Sequence, residues 1–429
     1  MKFPYGLCNF NKIITKGYLY IDRTERIPLI ESAGENLLFL RPRRFGKSLL
    51  LSMLQNYYDI GCAEKFEQVF GNLAIGRNPT SSRNQYFILK FDFSCVDPTG
   101  LAADIKKALY NHINSRIEGF ILDYEDFLKR KIRIDPDDAL VSLTSLVSVS
   151  RKSGYPIYLL IDEYDNFANE VMMGSHDKKA VYKALVFEEG PLKTFFKTIK
   201  SFTDGSGIDR IFITGVSPVV MSDITSGYNI GDDIFLDPDF NDLCGFTEKE
   251  IGNIMAELAD ECGLAQIDVQ NAVDLMRTYY NGYLFSPDAR MTVFNPTLAI
   301  YFMKAFCKRC KGPRQLLDAN LAMDEAKLQY ISQISGGKQM ILDLVKKNHQ
   351  INVPALEDRF GISDMLSETG KDTVFMASVL YYSGLLTIEA ITRTGKLALK
   401  IPNFVIHGLY ASRLKHMLIF ERLQYKEII

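Results

Sequence analysis

RPRRFGKS, residues 41–48, is the stretch of sequence that decides the fold, and it is called the octet below. It follows a short apolar run, residues 37–40, and precedes a segment with helical character, residues 48–54. The backbone N–H groups at a helix start have no intrahelical partners and attract anions. A strand, a loop ending in Gly-Lys-Ser and a helix therefore predict a phosphate-binding loop. The alternative is a surface helix that begins with a lysine.

The octet departs from the usual pattern G-x-x-x-x-G-K-[ST] at its first position, where Arg41 stands in place of glycine. Lys47 is expected to place its ammonium on the β- and γ-phosphates, and Ser48 to offer its hydroxyl to Mg²⁺. The guanidinium groups of Arg43 and Arg44 either reach phosphate oxygens or point outward and pair with an acid. The candidate nucleotide-binding residues are Arg43, Arg44, Phe45, Gly46, Lys47, Ser48 and Leu49.

Two acids follow a second apolar run. Residues 158–161 read as a buried parallel strand, and Asp162 and Glu163 come directly after it. Ligands of open α/β sheets bind at the carboxyl ends of the strands. Asp162 is expected to hold Mg²⁺ through water, and Glu163 to polarise an attacking water as general base. A strand that ends in a solvated acidic turn is the alternative.

A third strand, residues 210–214, ends at Thr214. A polar side chain there can sense a γ-phosphate or position water, although a threonine at this place is often only a strand end. Lys47, Glu163 and Thr214 are the catalytic candidates. Their order along the chain, each at or just after the carboxyl end of a strand, favours a P-loop nucleotide hydrolase.

The organisation of the chain indicates an α/β protein in three parts. Up to residue 236, strands alternate with helical segments, which predicts a parallel sheet with helices on both faces. One of these helical segments is expected over residues 180–201, and residues 234–236 are expected to add a short last strand. Residues 237–310 read as a helical lid, beginning with a capping box of Thr247 and Glu250. Residues 311–429 form a C-terminal region in which a helix (373–382) precedes a hairpin (385–391 and 396–401). This is compatible with a winged-helix unit or with another small α+β appendage.

Composition narrows the classes of protein that remain. The net charge of −2 provides no global field to attract nucleic acid. The sequence shows neither a leader nor an apolar run long enough to cross a bilayer, so we expect a cytoplasmic protein without membrane contact. Seven unevenly spaced cysteines favour reduced thiols. Cys307 and Cys310 form a lone C-x-x-C, which has too few ligands for a zinc site.

The motifs together resemble bacterial AAA-ATPase-like proteins of the DUF1703 type, whose octet is also similar to that of archaeal-type and STAND-like P-loop ATPases. The resemblance covers nearly the whole chain and rests on FPYG (3–6), YIDRT (20–24), the octet, LIDEYD (160–165), TGVSP (214–218), GFTEKE (245–250), YNGY (280–283) and VFNP (293–296). It implies ATP and Mg²⁺ as cofactors, bound through Lys47, Ser48 and Asp162. Asp22 matches a family motif whose next residue is usually lysine rather than Arg23. That motif contacts the nucleobase or ribose, or only packs the N-terminal segment.

Longer members of this family carry a PD-(D/E)XK nuclease after the ATPase. Such a nuclease needs a metal-binding aspartate and an E-x-K on adjacent strands. Glu325 and Lys327 have the spacing but lie in a helix-like stretch, residues 323–331. The residues after the hairpin, 402–429, also look helical. We therefore expect an ATPase without nuclease activity.

Three hypotheses follow for function. The first is a Mg²⁺-dependent ATPase whose nucleotide cycle moves the lid and the C-terminal region; ATP is favoured over GTP because no N/T-K-x-D motif is evident. The second is a non-hydrolysing switch that binds ATP and presents the C-terminal region to a protein or DNA partner. The third is nucleic-acid binding through local positive charge. The basic residues that would supply this charge are Lys308, Arg309, Arg314, Lys346, Lys347 and Arg393. The sequence does not indicate the oligomeric state.

Overall fold

The computed structural model of the protein describes residues 1–97, 99–166, 184, 190–218, 231–317, 322–346, 350–358, 361 and 371–427. Its centre is a parallel sheet in the strand order β2-β3-β4-β1-β5. Apolar residues fill the middle strands, and both faces of the sheet are buried, as the runs of aliphatic and aromatic side chains predict. The strands are β1 (Asn36–Leu40), β2 (Phe87–Asp92), β3 (Ile157–Asp162), β4 (Ile208–Gly215) and β5 (Asp232–Asp233).

The register of the sheet brings the predicted site residues to one edge. Leu40, the last residue of β1, lies opposite Gly215 at the end of β4. Asp92 at the end of β2 lies opposite Asp162 at the end of β3. The octet, the acidic pair and Thr214 therefore leave the sheet side by side.

Helices accompany the sheet, as the alternating pattern predicts. The predicted helix over residues 180–201 is seen from Pro191 onward, and most of its first part lies outside the described residues. The helices within residues 1–236 are α1 (Phe10–Thr15), α2 (Ile27–Ala33), α3 (Lys47–Tyr58), α4 (Phe66–Phe70), α5 (Ala74–Arg77), α6 (Ala102–Asp123), α7 (Ala139–Ser153) and α8 (Pro191–Lys200).

The last strand of the sheet differs from the prediction. We expected residues 234–236, but β5 is the dipeptide Asp232–Asp233, paired with Leu37 and Leu38. Ile234 still donates its N–H to the carbonyl of Leu38, at 3.1 Å. Ile234 and Phe235 are nevertheless buried, and they lead from the sheet toward the helices of residues 237–310.

The region predicted as a lid, residues 237–310 and called the lid below, contains the helices α9 (Glu248–Cys262), α10 (Gln266–Tyr280) and α11 (Pro296–Arg309). The capping box is confirmed: Thr247 accepts from the N–H of Glu250 at 3.3 Å, and Glu250 accepts from the N–H of Thr247 at 2.8 Å. The expectation of reduced thiols is wrong for one pair, because Cys262 and Cys310 form a disulfide between the ends of α9 and α11.

The C-terminal region combines helices with a small antiparallel sheet. The predicted helix and hairpin are confirmed, and a third strand that we did not predict makes the order β6-β8-β7. Glu325 and Lys327 lie on α12, as expected. No helix among the described residues is long and apolar enough to span a membrane. The elements are α12 (Ala322–Gln333), α13 (Gly337–Val345), β6 (Ile351–Val353), α14 (Thr373–Tyr382), β7 (Thr387–Ile391), β8 (Leu397–Lys400) and α15 (Phe404–Glu427).

Candidate functional site

The octet forms a tight turn between β1 and α3. Gly46 precedes the helix with a φ of 96°, a left-handed conformation that glycine adopts without a steric penalty. Arg44 has a φ of 70°, which is uncommon for a residue with a side chain. Together the two residues turn the chain so that α3 begins at Lys47 and presents its first N–H groups at the carboxyl edge of the sheet.

Lys47 lies buried inside this turn. Its Nζ donates to the carbonyl oxygens of Arg41, at 2.9 Å, and Pro42, at 3.2 Å. Burial lowers the pKa of Lys47, and the negative charges of Glu163, Asp162 and Asp165 act in the opposite direction. The ammonium is thus within electrostatic range of three carboxylates, and it is held by two neutral acceptors that a bound anion can replace.

Asp162 is oriented by its neighbours. Its Oδ1 accepts from Thr214 Oγ1 at 2.6 Å and from the N–H of Glu163 at 3.1 Å. Oδ2 makes no hydrogen bond within the described part of the chain, although the residue is only 2% exposed. A fixed carboxylate with one free oxygen suits a hard cation such as Mg²⁺, either directly or through water. Asp162 and Ser48 are therefore a chemically suitable pair for that ion.

Glu163 stands in a strained position beside Lys47. Its φ is 51°, which a glutamate adopts only when the surrounding structure imposes it. Burial raises the pKa of its carboxyl, and the positive charges of Lys47 and Arg43 partly counter this rise. A carboxyl whose pKa is shifted toward neutrality suits a general base.

Residues 164 and 165, to which we assigned no role, hold Glu163 in place. Tyr164 donates its N–H to the carbonyl of Thr214 at 3.2 Å and its hydroxyl to the carbonyl of Ser217 at 2.6 Å. The carboxylate of Asp165 accepts from the N–H groups of Val216, at 3.1 Å, and Ser217, at 2.9 Å. The acidic turn is thus tied to the exit of β4. The sequence signal was the run Tyr164-Asp165 after the acidic pair.

A cavity of about 420 Å³ opens above these residues. Most of the candidate set lines it, whereas Arg43, Asp162 and Thr214 lie outside its walls. Its remaining walls are mostly apolar, with Arg23 among the polar exceptions, and they come from the N-terminal segment, α3 and the lid, contributions that the sequence did not indicate. The octet residues lining it are Arg44, Phe45, Gly46, Lys47, Ser48 and Leu49, and the other lining residues include Glu163, Tyr5, Cys8, Leu19, Ile21, Met53, Phe246, Pro296 and Ile300.

The N-terminal segment is fixed by Asp22 and Arg23. Asp22 accepts from the N–H of Thr24, at 2.9 Å, and from the N–H of Ala74, at 2.7 Å, which is the packing role that the sequence left open. Arg23 pairs with both carboxylate oxygens of Glu250 on α9. It also donates to the carbonyl of Gly245, at 3.2 Å. The cavity is therefore closed on one side by an ion pair between the N-terminal segment and the lid.

The three arginines of the octet occupy different surroundings. Arg44 lines the cavity, and its Nη1 is buried without a hydrogen-bond partner among the described residues. Arg43 is half-buried and close enough to Glu163 to lower the pKa of that carboxyl. Neither forms an ion pair with any described acid. Arg41 turns away from the cavity and is fully buried against the lid.

The chain is similar to known proteins along most of its length. An uncharacterised protein in the vnfD 5′ region of Azotobacter chroococcum mcd 1 is 25% identical over 416 residues, covering 94% of this chain and 68% of that protein. Among solved structures, the Aeropyrum pernix ORC2 protein in its ADP form is 14% identical, with 94% and 93% of the two chains covered and a TM-score of 0.38. The Aeropyrum pernix ORC1 protein in complex with DNA is 9% identical, with 94% and 89% covered and a TM-score of 0.31.

The match that assigns the chain is to a family model. The model described as Predicted AAA-ATPase matches residues 4–225, which hold the whole parallel sheet up to β4, the octet and the acidic turn. This chain, with its ATPase-like P-loop fold, belongs to the predicted AAA-ATPase family.

Proposed function

We propose that the protein binds ATP with Mg²⁺ in the cavity above the octet and hydrolyses it. The observation that carries this proposal is the meeting of a buried lysine, a helix start and a half-buried glutamate in one cavity. Lys47 and Glu163 line that cavity together with Ser48 at the start of α3. A binder that does not hydrolyse needs the first two features but has no need of a base.

Catalysis of phosphoryl transfer consists mainly of positioning and charge stabilisation. Different residues of the site provide these contributions. The N–H groups at the start of α3 and the Lys47 ammonium bind the β- and γ-phosphates, with Lys47 leaving the carbonyls of Arg41 and Pro42. Ser48 and Asp162 would hold Mg²⁺, which neutralises charge on the triphosphate. Glu163 accepts a proton from water as the new P–O bond forms and the bond to the β-phosphate oxygen breaks. Thr214 keeps Asp162 in place.

The apolar walls of the cavity accommodate the nucleobase in this proposal. Met53 of α3, Ile21 of the N-terminal segment and Ile300 of the lid face the same space. Since the walls come from three parts of the chain, occupation of the cavity changes how the lid (237–310) meets the core (1–236). That change supplies the motion that an ATPase cycle transmits to the C-terminal region (311–429).

A second candidate is a switch that binds ATP without turnover. One observation favours it: the C-terminal region touches the octet, since a Cβ on Gly384 would lie 2.9 Å from the ring carbons of Pro42. A protein or DNA partner would then respond to the bound nucleotide. Lys308, Arg309 and Arg393 are exposed and available to such a partner. Lys346 is paired with Asp343, and Lys347 lies outside the described residues.

The test compares turnover with affinity. Glu163→Gln should retain ATP affinity within about threefold and lose hydrolysis by at least about a hundredfold, the scale of general base catalysis. Lys47→Ala should lose ATP binding. Glu257→Gln, which removes an exposed lid carboxylate, is the matched control and should hydrolyse ATP like the wild type. Unchanged hydrolysis in Glu163→Gln would contradict the assignment, and binding without turnover in the wild type would favour the switch.

A further inference from the structure

Arg41 is a buried cation without an acidic partner. Its side chain is 1% exposed and forms no ion pair within the described chain. Burial lowers the pKa of its guanidinium to about 10. A buried charge is costly unless its donors are satisfied, so the contacts that hold Arg41 matter for the arrangement around it.

Those contacts join three parts of the protein. Nη1 donates to the carbonyls of Leu40 and Phe235, both at 2.8 Å, and Nη2 donates to the carbonyl of Phe240 at 2.7 Å. Leu40 ends β1, whereas Phe235 and Phe240 belong to the connecting segment (residues 234–240) that leads from the sheet to the lid. The guanidinium carbon lies 4.5 Å from the ring centre of Phe39 and 4.2 Å from that of Phe285 in the lid.

The backbone of Arg41 touches the phosphate-binding lysine. Its carbonyl accepts from Lys47 Nζ at 2.9 Å, and its N–H donates to the carbonyl of Gly215 at 3.2 Å. If Lys47 turns to a bound triphosphate, this carbonyl loses its partner. The residue whose side chain links core and lid is therefore the same residue whose carbonyl changes its hydrogen bonding when Lys47 binds a phosphate.

The same contacts continue into the C-terminal region. Tyr381 on α14 donates its hydroxyl to the carbonyl of Phe285 at 3.1 Å. The neighbouring Tyr382 packs its ring edge-on against Phe235, with 5.8 Å between ring centres. Arg41 contacts Phe235 in the connecting segment and Phe285 in the lid, and α14 contacts both of these residues as well.

We propose that Arg41 is a positioning residue that couples occupation of the octet to the lid and to α14 of the C-terminal region. The inference rests on the proposed ATP binding. It gives the arginine at the first octet position a task different from phosphate recognition. Its guanidinium fork donates to two backbone segments at once and stacks between two rings, which the single ammonium of lysine cannot do.

The experiment follows hydrogen–deuterium exchange of the full-length protein with and without Mg·ATP. In the wild type, ATP is expected to change exchange in residues 234–240 and in α14. In Arg41→Met and Arg41→Lys the change should disappear from α14, kcat should fall by about tenfold or more, and ATP affinity should stay within about threefold. A purely structural arginine would lower affinity and turnover together.

Tyr381→Phe removes only the hydroxyl that reaches Phe285 and serves if the Arg41 variants fail to fold. It should retain the ATP response of residues 234–240 and lose that of α14. An undiminished response of α14 in Arg41→Met, or in Tyr381→Phe where the former does not fold, would overturn the proposal. So would a wild type that binds ATP without any change in α14. A wild type that does not bind ATP would instead refute the proposed function.

Discussion

Thr214 and Asp162 meet where β4 and β3 end, and the hydrogen bond between them is the shortest link between two candidate site residues. We expect Thr214→Val, which keeps the volume but removes the donor, to leave Asp162 free to turn. The loss of a charged hydrogen bond of about 1.5–3 kcal/mol should lower kcat by about tenfold to a hundredfold with little change in nucleotide affinity. Steady-state ATPase assays beside calorimetric binding measure both quantities.

Thr203→Val provides the control for that substitution. Thr203 is also buried and donates to a carbonyl, that of Lys200, at 2.9 Å, but it lies in the loop before β4 rather than at the carboxyl end of that strand. This variant should hydrolyse ATP normally. Equal losses in the two variants would mean that Thr214 acts through stability alone.

The pKa of Glu163 predicts the acid side of the pH profile. Burial raises this pKa above the ordinary value of 4.5, and the base works only when deprotonated, so turnover should fall as the pH drops through a value above 4.5. Arg43 lowers the same pKa. Arg43→Gln should therefore move the acid limb of kcat to higher pH. Arg151→Gln, an exposed site on α7, should not move it, and an unmoved limb in Arg43→Gln would remove Arg43 from this role.

At the scale of elements, the start of α9 carries two functions on one side chain. Glu250 caps the helix by accepting from the N–H of Thr247, and it pairs with Arg23 of the N-terminal segment. Glu250→Gln retains an acceptor for the cap but removes the charge, whereas Thr247→Ala weakens the cap and leaves the pair. We expect the first change to lower the free energy of unfolding by about 1–3 kcal/mol and the second by about 1 kcal/mol.

The sign of the pH dependence tests the pair itself. Although burial opposes it, the hydrogen bond and charge of Arg23 lower the pKa of Glu250 in the folded protein. The stability that this gives is present above the unfolded value of 4.5 and is lost as the pH falls toward the folded value. Urea unfolding should show the Glu250→Gln deficit at pH 7 and a smaller deficit near pH 4. A deficit that does not change with pH would assign the effect to the cap.

Local elements were predictable and distant pairings were not. β1, α3 and the capping box are specified by neighbouring residues, so their patterns are visible in the sequence. β6, by contrast, has three residues and pairs with β8 more than forty residues away. The same reason applies to β5, to the bond between Cys262 and Cys310, and to Arg41, two of whose three acceptors lie about 200 positions further on. The candidate site residues were chosen because they follow strand ends, whereas the sequence did not indicate the walls of the cavity.

At the scale of the whole molecule, Gly384 tests the contact between the C-terminal region and the octet. Gly384 and Gly395 both have a φ of 76°, so an alanine at either position introduces the same backbone strain. A Cβ at Gly384 would meet the ring of Pro42 at 2.9 Å, whereas a Cβ at Gly395 would meet nothing within 4 Å. Gly384→Ala should therefore weaken ATP binding or turnover severalfold beyond Gly395→Ala, measured in the same assays. Equal ATP binding and turnover in the two variants would mean that the contact does not influence the site.

The disulfide in the lid has a consequence for how the protein is handled. α9 and α11 both begin at the cavity, where Glu250 meets Arg23 and Thr297 donates to the carbonyl of Arg44 at 3.0 Å. Their far ends are joined through Cys262 and Cys310, which are 48 positions apart in the sequence, and Phe285 lies between them. In an oxidised sample the disulfide constrains the two helices to move together, while in a reduced sample each helix can move independently. The thiol reagent in the buffer is therefore expected to affect how the lid moves in the proposed nucleotide cycle.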